Sequence, residues 1–298
     1  KNISNDDLEN RNDSDLYGAT LSLWSGLAKF KSTAPYIRVF NPEIEKHGWH
    51  SSHTIVEIIV NDMPFLVDSV RMSLNRLNIT AHLFLHSPIA IKRNDKAQVT
   101  AFAEPGKTLE GTRKETVIFI EVDRQTSKSD IETLTKELHS VVDEVSLAVA
   151  DWQDMTGKLQ TVIKDTAKFN WPVSAAHKKQ TKTFLEWLSD HNFTMMGYRY
   201  YEVKAIEGDH RWIPANDTSL GLLKNSINDR ERLLSKLPAS AREEALSDHP
   251  LILTKTNSRS RVHRPAYMDY VGVKVFNKDG NVVGEHRFLG LYSASFYN

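Results

Sequence analysis

Between Arg261 and Tyr292 the sequence commits itself to a β-hairpin. Val271, Val273 and Val275 alternate with Gly272, Lys274 and Phe276, the period of two that sends neighbouring side chains to opposite faces of a strand. Lys278-Asp279-Gly280-Asn281 supplies a turn in which Gly280 accepts φ > 0, and Val282 to Tyr292 returns as the partner strand. The polar residues of the two arms read as the exposed side of a half-buried pair, with Lys274 and Glu285 as cross-strand support.

Upstream, the hydrophobic period switches repeatedly between helix and strand. Asp15 to Lys31 carries Leu16, Ala19, Leu23, Leu27 and Phe30 on one helical stripe, after a polar stretch over residues 1–14 that reads as frayed. Thr54 to Val60 is a β-branched strand. Pro64 then opens a helix whose apolar face is Leu66, Val70, Leu74 and Leu77. Strands follow at 79–92 and 114–123, with a weaker one near 97–103. Ser129 with Glu132 forms a capping box. The helix it starts runs to about Lys164 on a stripe from Ile131 through Trp152, Met155 and Leu159, with Gly157 as the place where it bends. Asn170-Trp171-Pro172 marks a boundary. Beyond it come a helix from Ser174 with Phe184, Leu185 and Leu188 inward, a strand at 193–203, short helices at 226–237 and 240–247, a strand at 251–254, and the hairpin. The order lacks steady β-α-β-α alternation. It predicts two α+β domains with antiparallel sheets.

Length and composition set the outer limits. The 298 residues suffice for two cores. Lys plus Arg and Asp plus Glu both number 38, so no global basic field attracts nucleic acid or an anionic membrane. The absence of cysteine removes thiolate chemistry and disulfides and fits a cytoplasmic protein. No run of about 18 apolar residues is present to span a membrane. Lacking an initiator Met at one end and stopping just after a strand at the other, the chain reads as cut from something longer.

Few motifs point to chemistry. No Gly-x-Gly-x-x-Gly turn is present, so no dinucleotide site is expected. Gly106-Lys107-Thr108 looks like the second half of a phosphate loop, but Ala101 stands where the first glycine belongs, and Pro105 removes an N–H. His47, His50 and His53 could share a helical face around a metal, yet Gly48 and Ser51-Ser52 argue for a loop. His82 and His86 fall on one strand face with Phe84 and read as a half-buried pair. An enzyme reading rests on His263, Arg264, Tyr267 and Asp269 with Glu285, His286 and Arg287, which would have to converge on a substrate.

The stretch 61–70 is the stronger candidate. A strand ends, Asp62 and Met63 follow, and Pro64 and Phe65 lead into a helix whose free N–H groups can receive a carboxylate. This corner resembles the strand–turn–helix corner of ACT domains, which bind amino acids as regulators; the matching positions are Asp62, Pro64, Leu66 and Val70. Phe65 departs from the pattern, standing where ligand-binding ACT domains carry glycine, and its ring is expected to fill the pocket.

As strings, Tyr36-Ile37-Arg38-Val39-Phe40-Asn41-Pro42, Val60 to Val70 and Val262 to Tyr292 resemble the N-terminal region of large bacterial NAD-specific glutamate dehydrogenases. The resemblance spans nearly the whole chain. It implies a helical extension over 1–35, an ACT-like (ferredoxin-like) antiparallel domain with its long helix over 36–170, and a second α+β, PAS-like domain over 171–298. It also implies a parent enzyme that oxidatively deaminates L-glutamate to 2-oxoglutarate and ammonia with NAD, with the catalytic residues and the NAD site outside this segment. The piece would then be regulatory and architectural. Its partners would be the rest of the same polypeptide, other subunits of a homo-oligomer and an amino-acid effector.

Overall fold

A computed structural model describes residues 11–104, 107, 109–206, 208–224 and 231–293. Contacts divide the chain into two units, Lys1–Val145 with Arg261–Arg264, and Ser146–Ser260 with Pro265–Asn298. The boundary expected at 170/171 and this division differ by the segment 146–170, whose apolar residues pack with those that follow it. No helix among the described residues is long and apolar enough to cross a membrane.

Unit 1 begins with α1 (Asp13–Lys29), then β1 (Tyr36–Phe40), the short α2 (Ile44–His47), β2 (Thr54–Asn61) and α3 (Leu66–Arg76). It continues with β3 (Ala81–Arg93), β4 (Val99–Phe102), β5 (Arg113–Val122) and α4 (Lys128–Ala150). The strands form one antiparallel sheet in the order β1-β2-β5-β3-β4. The run β2-α3-β3-β5-α4 supplies five of the six elements of a ferredoxin-like β-α-β-β-α-β domain. The missing strand, which should flank β2, is supplied from the N-terminal side by β1.

Both faces of this sheet are covered, which is why β2 is a continuous β-branched run rather than an alternating one. On one face Leu66, Val70 and Leu74 of α3 and Leu134, Leu138, Val141 and Val142 of α4 pack on Val56, Ile58, Ile118 and Ile120. The spacings of three and four put each set on a single helical stripe. On the other face lies α1, whose Leu27 and Phe30 meet Ile59 and Ile91, while Ala19 and Leu23 pack near Trp49 and Phe119. Its approach depends on Gly18, because a Cβ there would lie 2.4 Å from that of Trp49. A buried ion pair fixes the far end of this face. Arg93 grips both carboxylate oxygens of Glu115 at 2.7 Å and donates to the carbonyl of Leu27 at 3.1 Å, linking α1 to the sheet.

Unit 2 contains α5 (Trp152–Asp165), α6 (Ala175–Trp187), β6 (Phe193–Ile206), β7 (Asp209–Pro214), β8 (Leu220–Gly221) and β9 (Arg232–Leu233). It ends with α7 (Ala239–Leu246), β10 (Leu251–Arg259), β11 (Tyr267–Phe276) and β12 (Val282–Tyr292). Its sheet is antiparallel in the order β10-β11-β12-β6-β7-β9, with β8 paired to β6. Met155, Leu159 and Val162 of α5 join Leu185, Leu188, Val271, Val273 and Phe288 in the core.

Several local expectations change. The long helix breaks at Asp151, not at Gly157, which lies inside α5. Asp151 turns its carboxylate onto the Gly221 amide (2.7 Å) and the Lys224 ammonium (2.8 Å). Trp152 is 45% exposed, off the buried stripe on which Met155 and Leu159 sit. The Asp130 amide is received by Ser127, so α4 is capped there rather than at Ser129. The helix expected over 240–247 is α7, which starts one residue earlier, after Pro238. Helix α3 starts at Leu66, two residues after Pro64. Of the helix expected over 226–237, residues 226–230 lie outside the described residues; the remainder includes β9 and a 3-10 turn at Leu234–Lys236. The helix from Ser174 is as expected, with the Ser174 hydroxyl accepting from the His177 amide.

Candidate functional site

The β2–α3 corner is built by hydrogen bonds on both sides of the turn. Asp62 leaves β2 with its amide on the Lys114 carbonyl (3.0 Å) and its carboxylate accepting from the Thr116 hydroxyl at 2.6 Å. Met63 and Pro64 carry the chain to Phe65, which stands at the helix cap with φ +69°. That is the left-handed region where glycine is at ease and a side chain is not. The backbone therefore keeps the shape that a glycine would give it, while the position holds an aromatic ring. Ser69 locks the first turn, donating from its amide (3.0 Å) and hydroxyl (2.6 Å) to the Phe65 carbonyl.

A distant piece of chain closes over this corner. The Ser69 hydroxyl accepts from the His263 amide at 3.1 Å, across 194 residues of sequence. The His263 ring lies 4.7 Å from that of Phe65, and His263 is itself left-handed at φ +72°. Burial lowers the imidazole pKa, the Arg264 charge adds to the effect, and Asp68 opposes it. Its Nδ1 is buried with no hydrogen-bond partner. Two residues earlier, Arg261 is held by Glu144 (2.5 Å), Glu137 (2.9 Å) and the Ser140 hydroxyl (3.0 Å) of α4. Nothing in the sequence pattern connects Phe65 with His263; only the fold does.

Of the seven polar residues of the enzyme reading, His263 and Arg264 belong to unit 1 and the others to unit 2. Within unit 2, alternation along the strands separates them. Glu285 and Arg287 face one side of the sheet with Tyr270, whereas His286 faces the other, sharing a 2.9 Å hydrogen bond with Tyr198 and stacking on Phe169. Burial drives the His286 pKa down to about 4. Asp269 binds Lys255 at 2.5 Å and the Tyr292 amide at 3.1 Å, and Tyr267 is exposed beneath Arg259.

The polar positions of the hairpin are not half-exposed, as the alternation had implied. Lys274, Glu285 and Arg287 are 1%, 2% and 8% exposed. Lys274 stands opposite Glu285 in register, but its ammonium binds the Glu244 and Ser247 carbonyls at the end of α7 (2.8 and 2.7 Å). Burial lowers its pKa to about 8. Glu285 takes hydrogen bonds from the Trp212 indole (2.7 Å) and the Tyr270 hydroxyl, and the latter accepts from Arg287 at 2.8 Å. Each of these side chains is hydrogen-bonded within the unit, as a stable interior requires.

The histidines also rearrange. His47 ends α2, His50 and His53 lie on the following loop, and His86 is exposed on β3. His53 instead meets the His82 ring at 4.5 Å, and His82 pairs with Asp123 at 2.8 Å. No group of three metal-binding side chains occurs among the described residues. Pro105, Gly106 and Thr108 of the phosphate-loop candidate lie outside the described residues.

Comparison with known proteins bears on the whole chain. The family model described as "Glutamate dehydrogenase, ACT1 domain" matches residues 1–138. The NAD-specific glutamate dehydrogenase of Halomonas elongata is 36% identical over 295 residues, covering 98% of this chain and 18% of that protein. Its namesake in Pseudomonas aeruginosa is 36% identical over 300 residues, covering 99% and 18% respectively. That of Mycobacterium tuberculosis is 21% identical over 244 residues, covering 82% and 14%. The chain thus spans less than a fifth of the length of these relatives.

Proposed function

From the match of residues 1–138 to the glutamate dehydrogenase ACT1 domain model we propose that the chain is a non-catalytic regulatory and assembly segment of an NAD-specific glutamate dehydrogenase. The parent enzyme would convert L-glutamate and NAD to 2-oxoglutarate, ammonia and NADH in the cytoplasm, as a homo-oligomer. The observation that carries this reading is the 36% identity across 98% of the chain to a part of much longer enzymes of that name. The physical architecture supports it. Dinucleotide sites sit at the ends of parallel strands that feed into helices, whereas both sheets here are antiparallel.

The unit 2 sheet supports a PAS-like reading. Its main strands, in chain order, lie second-first-fifth-fourth-third, with α7 in the crossover between the second and third. We read the chain in the terms of its domains as a helical extension over 1–35, an ACT-like domain over 36–170 and the PAS-like domain over 171–298. In the ACT-like corner formed by Asp62, Met63, Pro64 and Phe65, the Phe65 ring, backed by His263, would exclude an amino-acid effector in the wild type. Assaying the pure chain for glutamate-dependent NADH formation tests the central claim. No rate above a mock-purified control is expected, and a rate that co-purifies with the chain would refute it.

A further inference from the structure

We propose that a cavity on the outer face of the first sheet binds an organic cation, an ammonium group carried on an aliphatic or aromatic body. The cavity measures about 580 Å³ and lies between the first half of α1, the loop 49–53 and the outward side chains of β3 and β5. That size is within the range of roughly 300–1,000 Å³ typical of small-molecule sites. It is separate from the β2–α3 corner.

Its floor is apolar. Leu83, Leu85 and Phe119 face it from the sheet, and Leu16 and Leu23 from α1. Gly18 lets α1 seat on Trp49, which holds the helix beside the cavity. Such a floor favours a hydrocarbon body that displaces water from it.

The polar end sets the charge of the guest. Two carboxylates, Asp15 and Glu121, face one guanidinium, Arg11. Arg11 is committed to Glu121 through a two-pronged contact of 2.5 and 2.7 Å. Asp15 receives the His50 amide on Oδ1 at 2.9 Å. No donor among the described residues is found on its Oδ2, which leaves a carboxylate acceptor at the cavity wall. An ammonium ion satisfies that oxygen and balances the excess charge. A carboxylate would meet Asp15 unopposed and would have to displace Glu121 from Arg11. Ser51 and Ser52 add hydroxyls at the same end.

The test is calorimetric titration of the 298-residue chain with 2-phenylethylamine and 3-methylbutylamine, against 3-phenylpropionate and L-phenylalanine as anionic and zwitterionic matches. Saturable binding of at least one amine is expected, with no binding of the acid and binding of the zwitterion at least tenfold weaker. Asp15→Asn keeps the acceptor for the His50 amide while removing the charge, and should weaken amine binding about tenfold. Leu85→Trp should abolish it by filling the floor. If that variant is not folded by circular dichroism, Asp15→Asn and the comparison among ligands decide alone. Failure of both amines to bind, equal affinity for the acid or the zwitterion, or an unchanged amine affinity in Asp15→Asn would overturn the proposal.

Discussion

Replacing Phe65 separates the backbone of the corner from its side chain. In both Phe65→Ala and Phe65→Gly the ring contact with His263 is lost, which for an aromatic pair costs about 0.5–1.5 kcal/mol. The variants differ in what remains. Alanine at φ +69° keeps the left-handed penalty of about 1–2 kcal/mol. Glycine is free of it but adds disorder to the unfolded chain, at about 0.5–1 kcal/mol. Glycine should therefore be the more stable by about 0.5–1 kcal/mol, the reverse of the order inside a helix, where glycine loses to alanine. Urea unfolding followed by tryptophan fluorescence reads the difference, with hydrogen exchange of the α3 amides assigning it to unit 1. An alanine variant as stable as the glycine variant would refute the claim that this backbone position is strained. The same pair tests the closed corner. Amino acids at saturating concentration should raise the melting temperature of Phe65→Gly and leave the wild type unmoved; a shift in the wild type would mean that the ring is no barrier.

Two further outcomes follow from burial. Leu159→Asp places a charge in the unit 2 core and should unfold that unit, at a cost above about 4 kcal/mol, whereas Trp152→Asp should change stability by less than about 1 kcal/mol; equal effects would contradict the broken helix. The folded state depresses the Lys274 pKa from 10.5 to about 8, so above pH 8 the unfolded chain holds the proton more tightly. Stability should thus rise with pH from about 8 towards 10, and Lys274→Met should flatten that rise; an identical slope in the variant would show that Lys274 is not its source.

The sequence made the strands legible because their hydrophobic period is local. The hairpin, its Lys274–Glu285 register and the β2, β3 and β5 runs fall where that period puts them. What it hid depends on contacts between remote segments. The break at Asp151 is fixed by the Gly221–Lys224 turn, some 70 residues away, and no helical pattern reports it. The same holds for the buried charges of unit 2. Alternating Lys, Glu and Arg on a strand look the same whether they face water or Trp212, Tyr270 and the carbonyls behind α7. At the candidate corner, the departure at Phe65 was readable as a side chain, but its left-handed backbone and its cover by His263 were not.

The position of β1 bears on how the protein is made. Because the strand beside β2 comes from upstream, every described strand of the first sheet has been synthesised by Val122, and α4, which covers one face, follows directly. No later strand among the described residues joins this sheet. Only Arg261–Arg264 arrives late, more than a hundred residues behind Val145, which at about 5–20 residues per second is a delay on the order of ten seconds. During that interval Ser69 and the Phe65 ring wait without His263, and Glu137 and Glu144 without Arg261. The nascent chain thus passes through a period in which the corner is assembled but uncovered, and synthesis itself supplies the cover.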